Sequence, residues 1–492
     1  MRVLLVHHGR RLGPGRPVTG GALRAEQHAS ALQDAGYEVI CIHRDQDGPG
    51  GFRSAADLRD TAQALRPDRI ICVQVEDAPA LAGLGVPLAV DLFAPRVLEA
   101  AFGDSLPAAV AQVMGALDAG DVFFVSNARQ RWSWTSVLAL AGFDPADAPT
   151  RLVPIASPQG VAPQPAPAEP VFVAGGARWP WQSPGPGLRR VLAHLDARGE
   201  GSVRWYGGAP MLGEDSGGWT LPVHPRLHTP GWLAYDALLD NYAGCTAAID
   251  WMGHNLERSL AFSFRHADHF GAGLPVLSSS DSALADVLGN AGVASDDIES
   301  TLDLVLDNPD KLIAMRAAAR HLGAKRTAAA CSAEVVKWVA SGRTHSQHKG
   351  PLSDSASLLR SALEATQARS MTEAALSRAE AEVGNKREEV ARLHGQIALL
   401  TDTVARQARA LDEVAGFKRE AVQLLGNQGD RARREASELS NENALLRADN
   451  EKKSAELRAM DDLRARLEND LVNLRDELER TRSSRGMFGR RG

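Results

Sequence analysis

Short apolar runs recur along the first two thirds of the chain: RVLLVHH, EVICIH, RIICVQV, PLAVDLF and DVFFVSN, then PVFVAGG, SVRWYGG, AAIDWM and PVLSSS. Longer stretches with helical spacing separate them. This alternation predicts parallel sheets wound by helices, because strands buried on both faces read as continuous apolar runs. Between the two sets lies PIASPQGVAPQPAPAEP, Pro154 to Pro170, whose prolines lack the backbone donor that a strand or helix interior needs. The pattern predicts two α/β domains, residues 1–153 and 171–342, with 154–170 as their connector.

Pro351 is the last proline, and a different pattern follows it. After a second linker at 343–354, apolar residues repeat every seven positions: Val383, Val390, Ile397, Val404, Leu411, then Leu425, Ala432, Leu439, Leu446, and Met460, Leu467, Leu474. A heptad period held this long predicts a coiled coil over 355–482, ahead of a basic disordered tail at 483–492. Taking the second seam position three residues on, Leu393, Leu400 and Val414 suit it, whereas Gln428, Glu435, Glu442 and Asp449 do not. LLGNQGD, with Gly426 and Gly429, reads as a break or loosening of the helix. As one continuous helix, 383–478 would span on the order of 140 Å, a length that suits a spacer or an oligomeriser.

Net charge is −6, so the chain has no overall basic field for nucleic acid, and the near-neutral mixed charges of the tail fit exposed helix faces. No apolar stretch reaches the roughly 18 residues of a membrane span, and MRVLLVHHGRR reads as a strand, not a signal peptide. The four cysteines lie far apart, which favours buried free thiols over a disulfide frame or a zinc site. Together these features predict a cytoplasmic protein. Asp45–Gln46–Asp47 spells a DxD, but in a Gly/Pro-rich stretch that reads as a solvated loop. Neither a metal nor a resident cofactor is expected.

Gly20 and Gly21 precede a helix expected to start near Ala22, where bare amides at a helix N-terminus would form an anion- or sugar-binding loop or simply a tight turn. The loop is neither GxGxxG nor GxxxxGK[ST], which argues against a dinucleotide oxidoreductase and a P-loop NTPase. The run GGALRAEQHASALQDAGYEV resembles the loop and first helix of GT-B glycosyltransferases. Residues 120–142, 171–195 and 228–277 resemble, in the same order, segments of a bacterial subgroup of the retaining group 1 type.

The resemblance covers about residues 1–340 and implies two Rossmann-like domains, a nucleotide-sugar donor and a glycan or lipid-linked acceptor. A leaving nucleoside diphosphate needs positive charge, and Arg178 and Arg265 are the candidates, each with a surface ion pair as the alternative. Gly175 and Gly176 end the strand before Arg178, and Trp181 would pack on the donor or fill the domain interface. The family's pair of glutamates, with seven residues between them before Gly-x-Pro-Val, is altered. Its second position is Asp268, its first is Leu260, and the nearest upstream acid is Glu257.

In the subgroup's N-x-E-R pattern Asn255, Glu257 and Arg258 would line the donor pocket, with Asp268 and His269 beyond them; Glu257 as a capping or paired acid is the alternative. Asp91, with Arg96 and Glu99 after it, would face the crevice from a strand end and orient hydroxyls, or cap the next helix. His7 and His8 would touch the acceptor or face solvent, and Ser126 would cap the following helix. The catalytic candidates are thus Asp91, Arg265 and Asp268. Two rival readings are a degenerate transferase serving as scaffold for its coiled coil, supported by Leu260, and an epimerase of the same fold. Met487 and Phe488 among Arg482, Arg485, Arg490 and Arg491 would touch an anionic membrane or form a free terminus.

Overall fold

The computed structural model describes every residue except 10, 11, 14, 45–49, 104–105, 211–218, 342–352, 426–430 and 489–492. The chain divides into two units, Met1–Gln367 and Ala368–Gly492. In the first unit, Val3 and Leu5 face one side of the opening strand and Leu4 and Val6 the other, all inaccessible to solvent. Such two-sided burial requires helices on both faces, and the sheet has them.

Six parallel strands form this first sheet: β1 (Arg2–His8), β2 (Glu38–Arg44), β3 (Arg69–Cys72), β4 (Leu88–Asp91), β5 (Val122–Val125) and β6 (Thr150–Leu152), in the order β2-β1-β3-β4-β5-β6. A second parallel sheet holds β7 (Val171–Ala177), β8 (Ser202–Gly208), β9 (Leu227–Gly231), β10 (Ala247–Asp250), β11 (Val276–Ser278) and β12 (Gly292–Ala294), ordered β12-β11-β10-β7-β8-β9. Both are doubly wound. The nine strands expected from apolar runs are all present. The three additional ones, β6, β9 and β12, are edge strands, where one-sided pairing demands less apolar sequence.

The connector is clamped by the helices that close the second sheet. Arg326 donates through Nη2 and Nε to the Ile155 carbonyl at 2.7 and 3.0 Å, and Ser157 donates to the Arg326 carbonyl. The helix Ala333–Ser341 then returns to the first sheet, burying Val335, Trp338 and Val339 against Val3, Leu5 and Phe124. Residues 333–341 therefore stabilise the N-terminal domain although they follow the C-terminal one. All four cysteines are free, and three are buried.

Two long helices close the chain, Ser353–Leu425, which belongs to the second unit from Ala368 on, and Arg431–Phe488; the first starts two residues before the expected 355 and the second runs six past 482, into the expected tail. Gln407 Nε2 donates to Asp449, and His394 Nε2 lies 3.7 Å from Glu468 Oε1, so the helices pair antiparallel. The continuous helix of about 140 Å is therefore not formed, and the heptad stripe is buried within the chain by its own return. Gly426 and Gly429 lie outside the described residues.

In the first helix the covered positions follow the expected stripe, with Val383 and Leu393 buried. In the second, Leu439, Leu446, Met460, Leu467 and Leu474 alternate with Ala436, Asn443, Asn450, Leu457 and Leu471, whereas Glu435 and Glu442 are exposed. The seam position thus lies four residues after each leucine instead of three. Two asparagines on it hide the apolar pattern from the sequence, so a reading three residues on meets mostly acids.

Candidate functional site

In the second sheet the strand order reverses between β7 and β10, and open parallel sheets take ligands in the crevice beyond such a point. β7 ends in Gly175–Gly176 and β10 in Asp250. A Cβ on Gly175 would run into the Tyr206 carbonyl of the neighbouring strand. Gly176 has φ +117°, and a Cβ there would lie 2.5 Å from Nη1 of Arg265. The glycine gives the guanidinium room at the strand end.

From the other domain comes the helix Gly20–Asp34, which starts two residues earlier than expected because Thr19 caps it, accepting from the Ala22 amide at 3.3 Å. A Cβ on Gly20 would lie 2.8 Å from the Phe264 ring, and one on Gly21 2.5 Å from Gln74 Nε2. Phe264 also packs edge-on against Phe93, with centroids 5.5 Å apart. Gly20, Phe264, Arg265 and Gly176 therefore form one continuous wall across the two domains.

Behind that wall Asp250 is buried among cations. Arg258 pairs with it, His266 Nε2 lies 2.8 Å from Oδ2, and Arg265 Nη2 lies 3.9 Å from Oδ1. Burial alone would raise the Asp250 carboxyl, but Arg258, His266 and Arg265 outweigh it and hold the group well below the usual carboxylate range. A carboxylate only accepts, so His266 Nε2 carries the proton; burial, against the attraction of Asp250, lowers that imidazole from its ordinary value. Two guanidiniums thus face one firmly ionised acid, which leaves a surplus of positive charge beside Gly176. Arg265 further donates to Gln182 Oε1 at 3.3 Å.

Asn255 caps the helix Leu256–Leu260, accepting from the Arg258 amide at 3.0 Å, and donates to the Trp181 carbonyl at 2.8 Å. It therefore orients Arg258. Trp181 is buried and stacks on Trp179 at 5.1 Å with an 8° interplanar angle, so it fills the interior. The backbone amide of Arg178 donates to the Gly208 carbonyl at 2.8 Å, beyond the β7–β8 pairing. Asp268 accepts a 2.6 Å hydrogen bond from the Tyr235 hydroxyl, and burial pushes its carboxyl up to about 7 against the opposing effects of Tyr235 and Arg265. Burial, then His266 and Arg265, pushes His269 well below its ordinary value, and its ring meets Tyr242 at 4.7 Å.

Glu257 is only 4% exposed, and its Oε2 has no hydrogen-bond partner among the described residues. Burial, then the charge of Glu99 in the other domain, pushes it up to about 7, although Arg258 and Arg265 oppose the shift. The cap of its helix is Asn255, not Glu257.

Asp91 does not meet the expectation of a crevice-facing acid. It is buried, accepting from Arg24 Nε at 2.6 Å and pairing with His28 Nε2 at 2.7 Å, while Arg24 also donates to the Val153 and Pro154 carbonyls. Gln27 and His28 reach Ser332 at 3.1 Å, so the network ties the first helix to the connector and the closing helices. Ser126 is not the cap of the next helix. Asn127 is, accepting from the Gln130 amide, while Ser126 Oγ donates to Gln130 Oε1. His8 pairs with Asp77 at 2.7 Å, and Arg44 pairs with the same carboxylate.

Sequence reasoning does not single out Asp250, His266, Phe264, Gln182 or Tyr235. Asp250 carries a signal, a carboxylate ending the apolar run AAID; the others carry none beyond position. Among the described residues no group of three or more His, Cys, Asp or Glu is arranged to hold a metal ion, and Asp45–Gln46–Asp47 lies outside them. No helix among them is long and apolar enough to cross a membrane.

No family model matches the sequence, and no curated protein matches it. Solved structures do resemble the chain. The OtsA apo structure aligns with a TM-score of 0.50 at 12% identity, over 69% of this chain and 98% of that one. An alpha-glucosyltransferase (AGT) in complex with UDP gives 0.47 at 13%, over 69% and 100%. AviGT4, a glycosyltransferase involved in avilamycin A biosynthesis, gives 0.44 at 15%, over 70% and 99%. The likeness is one of fold: the first unit has the two-domain GT-B architecture, and a long helical region follows it.

Proposed function

We propose that the chain is a glycosyltransferase that takes a nucleotide-sugar donor at the β7–β10 crevice and transfers the sugar to a glycan or lipid-linked acceptor on the N-terminal side. The observation that carries this reading is the cross-domain wall: Gly20 against Phe264, and Arg265 against Gly176, with a positive surplus around Asp250. A departing nucleoside diphosphate develops negative charge, and fixed guanidiniums in a dry site stabilise it without reorganising. Arg265 and Arg258 fill that role, Arg265 facing the strand-end glycines and Arg258 held by Asn255 and Asp250. The altered glutamate pair shifts the emphasis. With Leu260 at the first position and Asp268 bonded to Tyr235, the donor sugar and ribose are held by other groups than that pair.

The sequence resemblance further supports a retaining, metal-independent reaction in surface polysaccharide or glycoconjugate synthesis, and the free thiols fit a cytoplasmic setting for it. The helical hairpin acts as a spacer, with the basic end near an anionic membrane face; a homo-oligomer would use its outer faces, because the seam is filled from within one chain. A second reading, a degenerate scaffold, is favoured by the engagement of Asp268 with Tyr235. Calorimetric titration of the purified chain with a panel of nucleoside diphosphates and nucleotide sugars separates the two. Selective binding of one nucleotide supports the transferase, and absence of binding across the panel favours the scaffold.

A further inference from the structure

At the crevice the N-terminal domain presents acids as well as glycines. Glu76 follows β3, beside the point where the first sheet reverses order, and Glu99 lies on the helix Arg96–Ala100. Arg96 holds both, donating to Glu76 Oε1 at 2.9 Å and to Glu99 Oε2 at 3.4 Å. The helix of Glu99 packs on the helix Leu256–Leu260, which carries Glu257 from the other domain. Asn127 Nδ2 donates to the Leu260 carbonyl at 2.7 Å and Arg129 Nη1 to the Ser259 carbonyl at 3.1 Å, which fixes that helix against the N-terminal domain.

Within this cluster two carboxyl oxygens, Glu76 Oε2 and Glu257 Oε2, are shielded from solvent and have no hydrogen-bond partner among the described residues. A buried oxygen left in this way costs on the order of 1–3 kcal/mol, so it is an acceptor awaiting a donor. Glu76 and Glu99 side chains retain 17% and 13% exposure, and Arg96 41%, so the cluster reaches solvent on the Arg96 side.

Resting on the glycosyltransferase reading, we propose that Glu76, Glu99 and Glu257 form the acceptor subsite, and that it takes a neutral sugar ring through its hydroxyl groups. A carboxylate accepts in two directions at once and matches a pair of neighbouring hydroxyls, as guanidinium matches a phosphate. Burial raises both Glu99 and Glu257, the latter to about 7, so above that pH, where the probes are compared, the same acids repel an anionic substituent. The surrounding charges divide the crevice: Arg258 and Arg265 with Asp250 serve the diphosphate, while the three glutamates around Arg96 serve the hydroxyls. A phosphorylated sugar or a uronate placed at the glutamates would face like charge with only Arg96, already shared by two of them, to offset it.

The test uses the full chain and three probes: the methyl glycoside of a neutral hexose, its 6-phosphate and the corresponding uronate. Binding of each is followed by ligand-observed NMR on the wild type and on a Glu99→Gln/Glu257→Gln double variant, with nucleotide binding measured on the same samples by calorimetry. Both substitutions keep side-chain size, and thermal melts report the folding of the variant. The proposal predicts that the neutral glycoside binds the wild type at least about tenfold more tightly than either anionic probe, the worth of one charge-assisted hydrogen bond. It also predicts that the double variant loses this preference while nucleotide affinity is retained.

Equal or tighter binding of an anionic probe, preference unchanged in the folded variant, or no binding of the neutral glycoside at millimolar concentration would each overturn the proposal. Nucleotide binding distinguishes the two levels. If nucleotide binds but the sugars are not discriminated, the subsite assignment alone fails; if no nucleotide binds, the transferase reading fails.

Discussion

Replacing Glu257 with Gln removes a titrating group from a buried site without changing its shape, and the consequence for stability depends on pH. The ordinary glutamate value is 4.5, and in the folded chain burial, with Glu99 beside it, raises it to about 7. A carboxyl whose folded value is raised destabilises the native state wherever the unfolded chain would ionise. The penalty begins near pH 4.5, grows until about pH 7 and is constant above. Each tenfold gain in proton affinity on folding is worth about 1.36 kcal/mol, so the penalty changes by roughly 2–3 kcal/mol between pH 5 and pH 8. Gln adds a cost of its own, an amide donor where Oε2 had no partner, but that cost does not vary with pH.

The informative quantity is therefore the variant-minus-wild-type stability at pH 8 less the same difference at pH 5, read from urea denaturation of the full chain. It should favour Gln at pH 8 by about 2–3 kcal/mol. The charged and titrating neighbours that also face this position, Glu99, Arg258, Arg265 and Asp250, are present in both proteins and cancel to first order. A difference that stays flat, within about 0.5 kcal/mol, would show that Glu257 is not a proton-holding buried acid, since surface carboxylates give changes of that small size. The hydroxyl-binding role given to its free oxygen would then lose its basis.

Two further outcomes follow from the buried networks. Arg24→Ala leaves Asp91 buried without its guanidinium partner, and should cost about 3–5 kcal/mol in urea denaturation, whereas Arg24→Ala with Asp91→Asn should recover part of the loss. Recovery of nothing would contradict the network's account of Asp91. In the hairpin, Asn443 is buried with its Oδ1 unpartnered among the described residues, so Asn443→Leu should raise the midpoint of the helical melt followed by circular dichroism, with a gain of about 1–2 kcal/mol. A lowered midpoint would mean that the asparagine is satisfied in solution.

Much of the architecture is legible in the chain because two-sided burial leaves uninterrupted apolar runs. RVLLVHH and DVFFVSN mark central strands, while LHTPG, Leu227–Gly231, pairs only at an edge and carries no such mark. The candidate site is legible where the geometry is local. Gly20, Gly21, Gly175 and Gly176 stand at element ends, and Arg265 follows LAFSF. It is illegible where a side chain is claimed by a distant partner. Nothing near Asp91 in sequence signals Arg24, 67 positions away, and nothing near Asp268 signals Tyr235, 33 positions away. The hairpin shows the same limit, since one heptad position alone does not tell whether its partner lies three residues on or four. The antiparallel pairing resolves it.

The most direct test of a live donor site compares the wild type with Arg265→Ala and Arg265→Lys by calorimetric titration of whichever nucleoside diphosphate the full chain selects. The wild type should bind it with a clear preference over the other nucleotides. Arg265→Ala should weaken binding by about ten- to a hundredfold, the range for a lost charge-assisted contact, with Lys between the two. Undiminished affinity in a folded Arg265→Ala protein, or no nucleotide binding by the wild type at all, would contradict a donor site at the end of β7.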